Sequence, residues 1–376
     1  MNIQSALRNS ELESFCQANK IKFTRHNEFP NLVLFKYDSN STNKFNCEAR
    51  GLILDENDNW NIVSYPYDRF FNYGEKNSAK LDFANKQYTA YEKLDGSLMI
   101  LYYYNGNWHV STSGTPDASG KVNKIGKTFR ELFWETFNSE GYELPTQTNI
   151  CFMFELCLRD SPIVVPYPED SLMLHGARYL TGEEINPNQF ADKFRIVKNK
   201  PITKDDFEKL KVSVHDLNYN EGEGFIICGD DFSRVKLKSK KYIFIHDGLS
   251  VVVKSIKSGY VNHKTFVMVH DNYNEIVTYF PEFKAKFDKI IEITKKIIED
   301  LFATYLQFRN IEDNRDFGLA TRSHKYNKIL FKFRQLDNKI FMDDDAKELI
   351  SIRYTKYLCG TKNNVFMSEL NKMFKL

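Results

Sequence analysis

The chain reads as an α+β protein, with a domain of antiparallel sheets and flanking helices over residues 1–250 followed by an all-α domain over 251–376. Three observations predict this. Short β-rich runs separated by turn residues dominate from Leu32 to about Lys241, a single helical pattern at Lys121–Phe137 interrupts them, and after about Val253 the apolar positions recur at three- and four-residue steps.

In order, the expected strands are Leu32–Tyr37, Ala49–Asp55, Trp60–Tyr65, Tyr88–Tyr91, Leu98–Tyr104, Trp108–Thr112, Ile150–Leu156, Leu172–Ala177, Gly224–Cys228 and Arg234–Leu237. Asn105-Gly106-Asn107 between two of them is a hairpin signal. Within Lys121–Phe137, residues Ile125, Phe129, Leu132, Phe133 and Phe137 fall on one helical face. Downstream, Phe283, Phe287, Ile290, Ile291, Ile297, Ile298, Leu301 and Tyr305 mark a long amphipathic helix with Pro281 near its start. Arg322–Leu336 and Ala346–Tyr357 read as further helices.

Composition bounds the function. With 31 Phe and 21 Tyr the chain can bury a substantial core. A net charge of only +2 announces no global field for a polyanion, although residues 251–376 carry +6 against −4 for residues 1–250. The six cysteines show no C-x-x-C pair and no metal-finger spacing, and Cys151, Cys157 and Cys228 sit in apolar runs. Met1–Asn19 lacks the apolar core of a signal peptide, and no run approaches the ~20 apolar residues of a membrane span. A soluble cytoplasmic protein is expected, in the host cytoplasm if the source is viral.

Chemistry concentrates in five places. Lys93-Leu94-Asp95-Gly96-Ser97 lies between two β-rich runs, where a tight turn with φ > 0 at Gly96 would aim the lysine. A reactive amine must lose its proton, and Arg50, Lys236 and Lys238 are candidate positive neighbours. Glu155 stands in the apolar strand Cys151–Cys157 and needs an ion pair, for instance Arg159 or Arg178, a metal, or a ligand hydroxyl. Glu223-Gly224 opens another strand, with Glu221-Gly222 offering the same dipeptide two residues earlier. In Val235-Lys236-Leu237-Lys238-Ser239 both lysines project from one strand face, as a triphosphate site would require. Finally, Thr321–Arg334 carries Arg322, Lys325, Lys328, Lys332 and Arg334 among Tyr326, Phe331 and Phe333. That is the composition of a nucleic-acid surface, or of an ordinary wet helix face with a core stripe. Taken singly, each motif also has a plain structural reading, from a solvated turn lysine to an acidic loop before a strand.

Taken in order, Glu48-Ala-Arg-Gly-Leu-Ile-Leu, Arg69-Phe-Phe-Asn, Lys93-x-Asp-Gly-Ser, Phe154-Glu155, Glu223-Gly224-Phe225 and Lys236-x-Lys238-Ser239 resemble the covalent nucleotidyltransferases. More narrowly, they are similar to the single-polypeptide RNA ligases of T-even phages. The resemblance covers residues 32–245 and implies that residues 1–250 form an adenylyltransferase (nucleotidyltransferase) domain and 251–376 an RNA-specificity module. It implies Lys93 as the nucleophile that takes AMP from ATP. Tyr37, Arg50, Arg69, Glu155, Glu223, Lys236 and Lys238 would bind the nucleotide, Tyr37 being, like Tyr242, a looser aromatic match. Glu155 and Glu223 would hold Mg²⁺ or Mn²⁺ through water. The implied activity is ATP-dependent joining of RNA 5′-phosphate and 3′-hydroxyl ends, on single-stranded ends or a broken tRNA-like loop, by a monomer. Ser113 stands where the family often has lysine, and Pro162 where an arginine is expected, with Arg159 out of register. The competing readings are a nick-sealing DNA ligase or capping-type nucleotidyltransferase, and a non-catalytic RNA-binding protein of the same fold.

Overall fold

Apolar residues at nearly every position of Leu32–Phe35 require a strand covered on both faces, and the computed structural model supplies both covers. Strands β1 (Ile21–Arg25), β2 (Leu32–Tyr37), β3 (Arg50–Asp55) and β4 (Asn61–Ser64) form a first sheet in that order. Helices Asn2–Leu7 and Leu12–Asn19 lay Ile3, Leu7 and Phe15 on one face, against Val33 and Phe35. The other face meets a second sheet, with Leu32, Leu34 and Ile53 packed on Ile100, Tyr102 and Met153. The structure describes residues 1–38, 41, 43–218, 220–271, 273–279, 281–327, 329–331, 334 and 365–375.

Ten further strands follow: β5 (Phe71–Asn72), β6 (Tyr88–Lys93), β7 (Ser97–Tyr104), β8 (Asn107–Thr112), β9 (Ile150–Cys157), β10 (Ser171–Tyr179), β11 (Glu184–Ile185), β12 (Asn199–Ile202), β13 (Gly224–Gly229) and β14 (Arg234–Lys238). The second sheet has the order β11-β10-β9-β7-β8 and the third β12-β6-β13-β14-β5. Pairing between these strands is antiparallel except for β14 with β5, which is parallel. The outer face of the second sheet carries Phe152 and Phe154 against Phe133 and Phe137 of helix Phe129–Ser139. Tyr88, Ala90, Ile227 and Val235 of the third sheet pack on Phe207 of helix Lys204–Asp216.

Two expectations are corrected here. The helix expected from Lys121 begins only at Phe129, because Thr128 and Glu131 form a capping box that fixes the start. The Lys93–Ser97 segment is not a tight turn between paired strands: β6 belongs to the third sheet and β7 to the second, so Leu94–Gly96 is a crossover. Nor is Gly96 among the residues with positive φ. It is glycine because a Cβ there would lie 2.5 Å from the Leu156 carbonyl oxygen and 2.9 Å from Glu155 Cγ.

The chain divides into two compact units, Met1–Ile245 and His246–Leu376. Helical structure starts at Lys240, earlier than the residue near 254 at which the sequence pattern changes, with helix Lys240–Ser258 running across the division. His263–Asp271, Tyr273–Tyr279, Lys284–Phe308, Asn314–Thr321 and Val365–Lys375 are further helices of the second unit. Lys284–Phe308 buries Phe287, Ile290, Ile297, Leu301 and Tyr305 as its periodicity requires. The helix expected at Ala346–Tyr357 lies outside the described residues, as do Lys328, Lys332 and Phe333 of the basic cluster. Three described members of that cluster have partners within the unit, since Tyr326 is buried, Lys325 pairs with Asp300 at 3.0 Å, and Arg334 donates to the carbonyls of Ile311 and Glu312, whereas Arg322 is exposed. These contacts favour the core-stripe reading over a nucleic-acid surface. Among the described residues no helix is long and apolar enough to cross a membrane, and five of the cysteines are free, Cys359 lying outside them.

Gly224 tests how tightly β13 is seated, since its φ is +137° and a Cβ would lie 2.1 Å from the Leu237 carbonyl oxygen. Gly224→Ala is expected to cost about 2 kcal/mol or more by chemical denaturation. Gly120→Ala, whose Cβ would meet nothing closer than a Phe129 ring carbon at 3.6 Å, should stay within about 0.5 kcal/mol of the parent.

Candidate functional site

Register in the third sheet builds the centre of the site. Gly224 sits between Lys93 on β6 and Lys238 on β14, paired with both. The residue just before it, Glu223, therefore projects its carboxylate between two lysine amines. Its Oε2 lies 2.6 Å from Lys93 Nζ and its Oε1 2.7 Å from Lys238 Nζ, with only 3% of Glu223 exposed. Of the two Glu-Gly pairs, it is thus Glu223-Gly224 that enters the site. Glu221 instead accepts from the Asn218 N–H in its own turn.

The crossover after Lys93 is held from several sides. Asp95, 3% exposed, accepts from the N–H groups of Val164 and Val165 at 2.7 Å each and from the Tyr242 hydroxyl at 2.5 Å. Its own N–H donates to the Tyr167 hydroxyl at 2.8 Å. The next N–H, of Gly96, donates to Glu155 Oε1 at 3.1 Å. Glu155 and the nucleophile candidate are thereby tied through two residues of backbone.

Glu155 is not paired with either arginine considered from sequence. Arg159 is exposed and binds Asp160, while Arg178 lies 3.5 Å from Asp68 and donates to the Gly182 and Pro66 carbonyls. The partner is His175 on β10, whose Nε2 is 3.4 Å from Glu155 Oε2. Burial pushes the Glu155 carboxyl up, but neighbouring His175, Lys93 and Arg50 outweigh it and leave the group below the usual carboxylate value. His175 also stacks on Tyr67, which donates to the His175 carbonyl at 2.6 Å. Neither residue carried a sequence signal. A β-bulge between Leu174 and Gly176 turns His175 toward the cleft, and bulges leave no mark in hydrophobic alternation.

One cleft gathers Arg50, Lys93, Glu155, His175, Lys236 and Lys238. Tyr67, Phe70, Tyr91, Ile226 and Phe232 give it apolar walls. Arg234, missed in the sequence as a site residue, also lines it and is held by Glu184 at 2.5 Å. Arg50 reaches the cleft over the Phe70 ring, and its Nη1 is buried with no hydrogen-bond partner among the described residues. Burial, then the positive charges of Arg50, Lys238 and Lys93, push the Lys236 amine down to about 7. The two lysines do share a strand face while Val235 is buried beneath them.

Two expected residues lie elsewhere. Arg69 lines a neighbouring cavity, donating to the Ser41 carbonyl at 2.6 Å and stacking between Tyr37 and Phe71 at 4.5 and 5.0 Å. Tyr37 is thus a partner of Arg69 rather than a wall of the Lys93 cleft. The two hollows share Phe70, Phe232 and Arg234 as a common wall.

Among the described residues no three His, Cys, Asp or Glu side chains converge as a metal cage. Of the carboxylates, Glu92 and Glu155 line the cleft, and Glu223 lies beside it between Lys93 and Lys238. That donor set suits Mg²⁺, a hard ion that keeps most of its water and binds through one or two carboxylates plus substrate phosphate.

A family model described as RNA ligase matches residues 48–243. The RNA ligase of Rhodothermus phage RM378 is 33% identical over 199 residues, covering 43% of this chain and 45% of that protein. A protein of Autographa californica nuclear polyhedrosis virus, whose name pairs a polynucleotide kinase with an RNA ligase, is 26% identical over 313 residues, covering 76% of this chain and 42% of that protein. The chain therefore spans less than half the length of these curated relatives. An archaeal ATP-dependent RNA ligase structure superimposes with a TM-score of 0.43 at 12% identity, over 96% of this chain and 93% of that one. A likeness of that degree carries no argument.

Lys236 gives a test with a defined sign. Its amine titrates near 7 when folded, against an ordinary 10.5, so between those values the unfolded chain binds the extra proton and native stability rises with pH. Below about 7 the folded site must hold the charge. Replacing the lysine, Lys236→Met, should thus raise the melting temperature most at pH 6, with the advantage shrinking toward pH 10. A shift that is the same at both pH values would contradict the assignment.

Proposed function

The chain belongs to the RNA ligase family, and on that premise we propose that it joins RNA 5′-phosphate and 3′-hydroxyl ends at the expense of ATP, through an AMP carried on Lys93. The observation that carries the reading is the Lys93–Glu223–Lys238 array at 2.6 and 2.7 Å beside Arg50, whose buried Nη1 has no hydrogen-bond partner among the described residues. An amine, a carboxylate able to take its proton, and several cations in one partly apolar cleft are what attack on a phosphoanhydride requires.

In the first step the Lys93 nitrogen forms a bond to the α-phosphorus of ATP, the bond from that phosphorus to the bridging oxygen breaks, and pyrophosphate leaves. The lone pair is free only once the proton shared with Glu223 is given up. Lys238, Lys236 and Arg50 neutralise charge that grows on the phosphate oxygens. Mg²⁺, held through water by Glu155 and Glu223, would add further charge neutralisation on the phosphates. Next, a 5′-phosphate oxygen of RNA attacks the same phosphorus, the P–N bond breaks, and the Lys93 amine is restored. A 3′-hydroxyl then attacks the RNA 5′-phosphorus and AMP departs. His175 orients Glu155, and Glu155 with the Gly96 N–H fixes the backbone beside the attacking residue. The apolar walls formed by Tyr67, Phe70 and Ile226 suit a purine and keep bulk water from the adduct.

Incubation with ATP and Mg²⁺ followed by mass spectrometry should show one AMP on a peptide containing Lys93. Lys93→Ala should abolish it, and Glu223→Gln should slow it by about tenfold or more, since one charge-assisted contact is worth ~1.5–3 kcal/mol. Unlabelled wild-type protein, or a label that survives Lys93→Ala, would sink the proposal. Offering single-stranded RNA, nicked duplex RNA and nicked DNA side by side separates RNA end joining from nick sealing of DNA.

A further inference from the structure

We propose that Lys36 is a phosphate-binding residue of this site, supplying from β2 a positive charge that the Ser113-Gly114 turn does not carry; the inference rests on the ligase reading above. Lys36 pairs in register with Arg50 across β2 and β3, and directly opposed residues of an antiparallel pair share a face. Arg50 already lines the Lys93 cleft. Between them the register shifts at Gly51, whose φ is +89° and whose ideal Cβ would lie 3.2 Å from Ser113 Cα. The turn that follows β8 therefore leans directly over the start of β3.

Onto that turn the Lys36 side chain extends. An ideal Cβ on Gly114 would be 3.0 Å from Lys36 Nζ, so the ammonium occupies the space where a side chain at 114 would begin. Thr112 fixes the turn beneath it, its hydroxyl accepting from the N–H groups of Gly114 and Thr115 at 3.2 and 3.1 Å. Lys36 is exposed and makes no ion pair or side-chain hydrogen bond among the described residues.

The local charge balance shows what the ammonium faces. Glu223 answers Lys93 and Lys238, and Glu184 answers Arg234. Arg50 has an unpartnered buried nitrogen, and Lys36 next to it has no carboxylate. An excess of positive charge thus collects at the β2–β3 rim, one group a guanidinium suited to two oxygens and one a mobile point charge. The ligand chemistry that fits is a phosphate, either the outer phosphates of ATP or the 5′-phosphate of RNA.

The experiment compares wild type, K36A, K36R and K36A/S113K in two arms: adduct formation over a range of ATP concentrations, and AMP transfer from the adduct to 5′-phosphate RNA. K36A should weaken one arm by about tenfold, the ATP arm marking the nucleotide tail and the transfer arm the RNA end. K36R should retain most of the wild-type value. S113K should recover most of what K36A loses, by restoring the charge from the other side of the turn. The melting temperature should not move, as it would for a structural role. K36A equal to wild type in both arms, or a loss that neither K36R nor S113K moderates, overturns the inference. Should wild type form no adduct at all, the ligase reading fails. Calorimetry with inorganic tripolyphosphate would then still report on Lys36, with equal affinity of wild type and K36A counting against it.

Discussion

Glu223 is the group on which the site's electrostatics depend. Lys93, Lys236, Lys238 and Arg50 converge on one cleft, and at an effective dielectric near 20 two like charges ~4–5 Å apart repel by about 3–4 kcal/mol. One buried carboxylate bridging two of the amines makes the cluster tenable. Its position follows from strand order, because β13 is the one strand of the third sheet bordered by both lysine-bearing strands. The residual repulsion shows in Lys236, whose proton affinity is depressed by burial and by its cationic neighbours. An anion entering the cleft would relieve that repulsion.

The second carboxylate has a different job. Glu155 stands on another sheet and is oriented by His175 and by the Gly96 N–H rather than by the lysines. Asp95, between them, spends its carboxylate on Val164, Val165 and Tyr242. The four-residue stretch Lys93–Gly96 is thus anchored to the third sheet at one end, to the second at the other, and in its middle to a loop and a helix. The cleft lies where two sheets diverge, and this stretch is the hinge pin that cannot turn.

Much of this was legible beforehand, for identifiable reasons. Strands with long apolar runs, such as Ile150–Cys157, declare themselves because both faces are covered. Short edge strands do not: β12 contains Pro201 and only one buried residue, and β5 is two residues long. Lys93, Glu155, Glu223, Lys236, Lys238 and Arg50 were readable as charges within or at the ends of strands, and they do meet. Arg69 and the more loosely matched Tyr37 pair with each other in an adjoining hollow, because Arg69 lies in the irregular segment before β5, whose path no periodicity records. His175 and Arg234 were silent as ordinary residues within strands until a bulge and a register bring them to the cleft, and Tyr67 as part of the irregular connection between β4 and β5.

Gly96 has a consequence for the arithmetic of rate. With no room for a side-chain atom above the Leu156 carbonyl, the peptide that follows Lys93 is packed closely on β9 and is further tied by the Gly96 N–H to Glu155. In the ligase reading, much of the entropy of aligning amine and carboxylates would be settled when the chain folds, once per molecule, rather than at each turnover. Such a centre is slow to adapt by drift of its backbone but tolerant of exchange among the long cationic side chains at its rim, whose reach makes their anchoring strand immaterial.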